Sequence, residues 1–173
     1  MSLDKKNKLK KFIKLLSTIT VILIIVCQIT SRFIYLNVSS SMPKGFYILV
    51  SDRNDKINKN NIVLYDTTKN EFIKKYYKGY EDKMSKVFIK YVAGTKGDII
   101  EVTDDAMKIN NNKTFIKIKG ERMSKSSYPN CKRELKENEL ILVGEHLFSY
   151  DSRYYGIVNQ KDILGVLRPL IVF

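Results

Sequence analysis

A compact antiparallel all-β domain behind one N-terminal transmembrane helix is expected of this 173-residue chain. Its one long apolar run lies near the amino end, with no charged residue from Leu15 to Ser31. Beyond it the apolar residues fall into short clusters rich in β-branched and aromatic side chains, bounded by Asn, Asp and Lys, which is how strands read. No later segment shows a convincing amphipathic helical period, and many short strands without helices imply a β domain closed on its own core.

The length leaves room for one membrane segment and one small domain. A formal net charge of +13 would suit a nucleic acid or an anionic membrane, and the distribution decides between them. Lys5, Lys6, Lys8, Lys10, Lys11 and Lys14 crowd the amino end against Asp4 alone, a placement that orients a membrane helix. The other lysines are scattered among Asn, Asp and Glu, with no aromatic-interleaved basic motif. A lipid bilayer is therefore an expected partner and a nucleic acid is not. Cys27 lies inside the apolar run and Cys131 far beyond it, so no disulfide is expected.

Taken in order, residues 1–14 read as a basic cytoplasmic segment, 15–36 as the transmembrane helix and 37–173 as an extracytoplasmic β catalytic domain. At ~1.5 Å per residue the uncharged positions span about 25 Å, slightly short of a ~30 Å hydrocarbon core. Phe12, Ile13 and Phe33-Ile34-Tyr35-Leu36 extend them, while Lys14 and Arg32 can snorkel to the interfaces. A buried core helix does not fit, because Val21-Ile22-Leu23-Ile24-Ile25-Val26 is apolar all round. A cleaved signal peptide shares the basic and apolar regions, but the segment is long and no clean small-x-small site follows it, which favours a retained anchor.

Strands are expected at Gly45 to Val50, Asn61 to Tyr65, Lys86 to Ala93, Ile99 to Val102, Thr114 to Ile118, Glu139 to Val143 and Gly165 to Leu167. Asp104 to Asn112 reads as polar and turn-rich. The stretch between Asp66 and Lys86 fits a short helix or a loop equally well.

Three stretches carry chemistry. Asn37-Val38-Ser39-Ser40-Ser41-Met42-Pro43-Lys44-Gly45-Phe46-Tyr47 puts a hydroxyl cluster where a chain leaving a membrane meets water, and Pro43 and Gly45 favour a bend that holds a side chain out of the packing. Lys90 shares a strand face with Phe88 and Val92, where a charged amine is costly. Such desolvation lowers a lysine pKa from about 10.4 toward the ~7–8 that a general base needs. The bland alternative is a lysine snorkelling from an edge strand. Gly97-Asp98 reads as a structural turn, with Asp98 capping backbone amides. The third stretch is Ser149-Tyr150-Asp151-Ser152-Arg153 followed by Gly156.

In this order the three stretches resemble the boxes of the type I signal peptidase family, membrane-bound serine proteases with a Ser/Lys dyad. Ser41 to Tyr47 is most similar to the branch of conjugal-transfer TraF-type maturation peptidases. The resemblance implies Ser41 as nucleophile, Lys90 as general base, and the Ser39 hydroxyl with the Ser41 backbone N–H as oxyanion hole. It implies Ser149 as the hydrogen-bond partner that orients the lysine, with Asp151 and Arg153 bracing the site by ion pairing. Scaffolding alone is the plainer role for Asp151. The sequence departs from the family at Tyr91, Lys96 and the Glu145-His146 pair.

His146 is the lone histidine of the chain, so zinc ligands are lacking and no cofactor is expected. A triad of Ser41, His146 and Asp151 would need two partners from one loop. The function implied is a membrane-anchored serine endopeptidase acting on precursor proteins with signal peptides at the outer membrane surface, in a conjugation or secretion system. The alternative is a catalytically inactive anchored scaffold of such an apparatus.

Overall fold

The computed structural model describes residues 3–52, 56–76, 86–118 and 128–173. The chain divides into two compact units, Met1–Tyr35 and Leu36–Phe173. The first is dominated by helix α1 (Leu3–Thr30), whose Lys10–Thr30 portion is long and apolar enough to cross a membrane. The hydroxyls within it are satisfied locally: Thr18, Thr20 and Thr30 donate to the carbonyls of Lys14, Leu16 and Val26 at 2.9, 3.0 and 2.9 Å. Back-bonded hydroxyls of this kind leave no donor stranded in lipid. The helix stops at Thr30, short of the boundary at residue 36 read from hydropathy, and Ile34–Asn37 forms strand β1. An apolar run that is β-branched and aromatic suits a strand as well as a membrane helix, so hydropathy alone misplaces the border.

The second unit contains two sheets among the described residues. The larger has the order β1-β2-β11-β3-β4-β9-β10 and the smaller β7-β6-β5-β8. Here β2 is Gly45–Asp52, β3 Ile62–Asp66, β4 Val87–Gly94, β5 Ile99–Val102, β6 Ala106–Ile109 and β7 Lys113–Ile116. The rest are β8 (Cys131–Glu134), β9 (Glu139–Val143), β10 (Val158–Asn159) and β11 (Ile163–Val172). From β2 to β10 each neighbouring pair of the larger sheet runs antiparallel, as do the pairs of the smaller one. The expected antiparallel all-β domain is what forms, and all seven expected strands are present.

Strands β6, β8 and β10 were not expected. Within the stretch read as turn-rich, Ala106–Ile109 pairs with β5 and β7, and the turns fall to either side of it, at Asp104-Asp105 and through Asn110 and Asn111 at φ of 52° and 57°. Asparagine tolerates that left-handed conformation better than most residues. Between Asp66 and Lys86 the chain makes a short 3-10 turn, Thr67–Lys69, capped by the Asp66 carboxylate, and then helix α2, Glu71–Tyr76. Residues 77–85 lie outside the described residues.

Strands β4 and β9 are covered on both faces, which explains the unbroken apolar run of β9. Val92, Leu140 and Leu142 join Val63, Tyr65, Tyr155 and Ile163 in one core. Ile141 and Val143 join Ile100, Val102, Met107, Ile109 and Leu135 in the other, with Tyr91 and Ala93 packed against it. The alternation along β4 thus sends Lys90 toward the first core and Tyr91 toward the second.

Candidate active site

The serine bend connects β1 to β2. Met42 is buried at its centre, and the Tyr47 hydroxyl donates to the Pro43 carbonyl at 2.6 Å, tying the loop to the strand that follows. The buried Asn37 side chain anchors the bend, donating to the carbonyls of Ser39, Met42 and Pro43 and accepting from the Ser39 amide and hydroxyl. Ser39 and Ser40 are exposed and Ser41 is half-buried. The Ser39 and Ser41 hydroxyl oxygens are 2.9 Å apart.

Lys90 is 3% exposed, and its Nζ donates to Ser149 Oγ at 2.9 Å and lies 5.4 Å from the centre of the Phe88 ring. Burial is the main reason its pKa falls to about 8, assisted by the Arg153 charge and opposed by Asp151. Lowering by desolvation is what distinguishes this amine from a snorkelling one.

A buried ion pair stabilises the loop that presents Ser149. Asp151, fully buried, accepts from Arg153 Nε at 2.8 Å and Nη2 at 2.7 Å and from the Gly144 amide at 2.9 Å. It also caps α3 (Ser152–Tyr155) by accepting from the Arg153 amide. Arg153 spends its remaining donors on the carbonyls of Ile116, His146, Leu147 and Ser149. A charge pair out of water survives only when its other hydrogen-bonding positions are filled, and here they are.

Gly144 is the point where the first and third stretches meet. A Cβ there would stand 2.2 Å from Ser149 Oγ and 2.6 Å from the Ser41 carbonyl oxygen. That carbonyl accepts from the Glu145 amide at 2.8 Å. Gly144 thus lies against both the Ser41 backbone and the side chain of Ser149, the partner of Lys90, while the Ser41 hydroxyl is bonded to Ser39 and the Lys90 amine to Ser149.

His146 serves differently, its Nδ1 accepting from the Phe148 amide, while Asp151 is taken up by Arg153 and Gly144. Asp98 accepts from the Thr95 amide, Asn110 and Lys59 in its turn. Among the described residues no group of three or more His, Cys, Asp or Glu could hold a metal ion. Asn37 opens the first stretch and Gly144 lies five residues ahead of the third, yet neither carried a role in the sequence reading. An Asn ahead of a serine cluster, able to bond backbone two residues on, was the available signal for the first. For Gly144 nothing local distinguished a packing glycine from a turn.

The family model described as "Signal peptidase, peptidase S26" matches residues 9–171. The plasmid transfer protein TraF of Escherichia coli is 28% identical over 90 residues, covering 49% of this chain. The match spans only 51% of that relative's length. A solved signal peptidase I from Enterococcus faecalis V583 is 18% identical, with a TM-score of 0.39, covering 66% of this chain and 98% of that one.

Proposed function

The chain belongs to the signal peptidase family, peptidase S26, and on that premise we propose that it is a membrane-anchored serine endopeptidase with a Ser41/Lys90 dyad. The observation that carries the reading is the buried Lys90 amine, its pKa near 8, beside Ser149 and across Gly144 from Ser41. A neutral amine donates one N–H to Ser149 and keeps its lone pair for another partner. The proposal requires the Ser41 hydroxyl to leave Ser39 for that lone pair, in keeping with sites whose catalytic hydrogen bonds tighten only with substrate bound.

Lys90 then takes the Ser41 proton as Oγ attacks the scissile carbonyl, and the negative oxygen is held by the Ser41 amide and the Ser39 hydroxyl. The lysine returns the proton to the leaving amine, and the same base activates the water that hydrolyses the acyl-enzyme. Asp151 and Arg153 hold the Ser149 loop at its distance from Lys90 without entering the chemistry.

The substrates proposed are precursor proteins with signal peptides, cut at the outer face of the membrane. The stretch from Thr30 to Ser41 is short enough to keep the nucleophile near the bilayer, and the amino-terminal lysines favour a cytoplasmic amino end. Likeness to a plasmid transfer protein supports a role in conjugation. The test is cleavage of candidate precursors encoded nearby, in membranes. Ser41→Ala and Lys90→Ala should each lower cleavage by about a thousandfold or more while leaving the melting transition in place. Cleavage undiminished in both variants overturns the dyad and leaves an anchored scaffold.

A further inference from the structure

Asn37 ends β1 with 7% of its surface exposed, and both polar atoms of its side-chain amide are engaged in the serine bend. Nδ2 faces the carbonyl oxygens of Ser39, Met42 and Pro43 at 3.1, 3.0 and 3.0 Å. Three carbonyls can face only a donor, so the orientation of the amide is fixed and Oδ1 is the atom turned to Ser39. That oxygen accepts from the Ser39 amide at 3.2 Å and from Ser39 Oγ at 2.8 Å. A hydroxyl has one proton, and that of Ser39 is committed to Asn37. In the 2.9 Å contact between the two serines the donor is therefore Ser41.

Protons thus point from Ser41 to Ser39 to Asn37. We infer that Asn37 is a positioning residue, which parks the Ser39 hydroxyl and through it the Ser41 hydroxyl in a resting arrangement. When Ser41 turns to Lys90, the Ser39 oxygen loses its donor. Its own proton then turns from the neutral Oδ1 to the stronger acceptor, the substrate oxygen that becomes negative, while the Ser39 amide stays on Oδ1 and holds the bend still. The inference rests on the dyad reading above and adds a residue that acts through Ser39.

The test is a double-mutant cycle on the full chain in detergent micelles, following turnover of a precursor peptide. Removing an oxyanion donor typically costs about 10²–10³ in kcat, so Ser39→Ala should fall in that range. Asn37→Ala should lower kcat at least about tenfold with KM unchanged, and the double variant should lie within about threefold of Ser39→Ala, because residues acting in series are not additive. The acid limb of the pH profile, set by Lys90, should not move in Asn37→Ala. If the two losses multiply, or if the acid limb shifts, Asn37 does not act through Ser39 and the inference is overturned. Should Asn37→Ala fail to melt cooperatively, the same cycle is run with Asn37→Leu, of similar size, which fills the space and removes the Oδ1 acceptor. Loss of the fold in both assigns Asn37 to the scaffold and overturns the inference. Ser41→Ala separates the two levels: cleavage surviving in it sinks the dyad, whereas multiplying losses with Ser41→Ala inactive sink Asn37 alone.

Discussion

Lys90 couples stability and activity through one proton. Its charged form is disfavoured by burial, from an ordinary value of 10.5 to about 8. At ~1.36 kcal/mol per pH unit the buried charge costs about 3 kcal/mol of stability. Below pH 8 both folded and unfolded chains carry the proton and the cost is full. Between about 8 and 10.5 the unfolded chain binds more protons, so stability rises with pH through that window. The dyad proposed above needs the neutral amine, so on that proposal kcat/KM should rise with pH to an apparent pKa near 8. Lys90→Met should be inactive yet melt at a higher temperature at pH 7, and a lower melting temperature there would refute the burial cost. Strand period alone could not single this lysine out. Lys117 also follows an alternating aromatic, Phe115, is 5% exposed, and has a pKa lowered by burial, yet its Nζ finds no hydrogen-bond partner among the described residues. What separates the two is the company of Ser149, brought in from a distant stretch.

At the scale of elements, the end of β9 is the most constrained part of the site. Gly144→Ala would drive a methyl group against Ser149 Oγ and the Ser41 carbonyl at distances no real Cβ adopts. Because Gly144 follows the last β9 residue, the sheet should survive while the bend and the Ser149 loop are pushed apart. A kcat loss of about a hundredfold or more is expected, with a melting shift of only a few degrees, and turnover within threefold of wild type would contradict the geometry. The strands that could be read in advance, β2, β3, β4, β5, β7, β9 and β11, are those whose own apolar or alternating pattern suffices. Those that could not, β6, β8 and the two-residue β10, are short and read as strands only in context. Cys131–Glu134 alternates Cys, Lys, Arg and Glu, and pairs because β5 lies beside it, not because its residues favour a strand. Likewise the serines, the lysine and the third stretch were legible as motifs, whereas the hydrogen bonds that join them depend on close approaches that no sequence spacing encodes.

For the molecule as a whole, an apolar helix of 21 residues with a lysine-rich amino end makes a definite topological expectation. The protein should stay in the membrane through alkaline carbonate extraction, and a reporter active only outside the cytoplasm should be active when joined after Phe173 and silent when joined before Met1. The reverse pattern would place the bend on the wrong side for secreted precursors. The order of the larger sheet has a temporal consequence as well. Strand β11 is made after every other strand of that sheet, yet it sits between β2, which follows the serine bend, and β3, which carries the lysine strand beside it. Until it has slotted in, serine and lysine belong to two unconnected ribbons. On the dyad proposed above, a copy whose β11 is not yet seated is thus unable to cut a precursor, and turnover should begin only once that ribbon is in place.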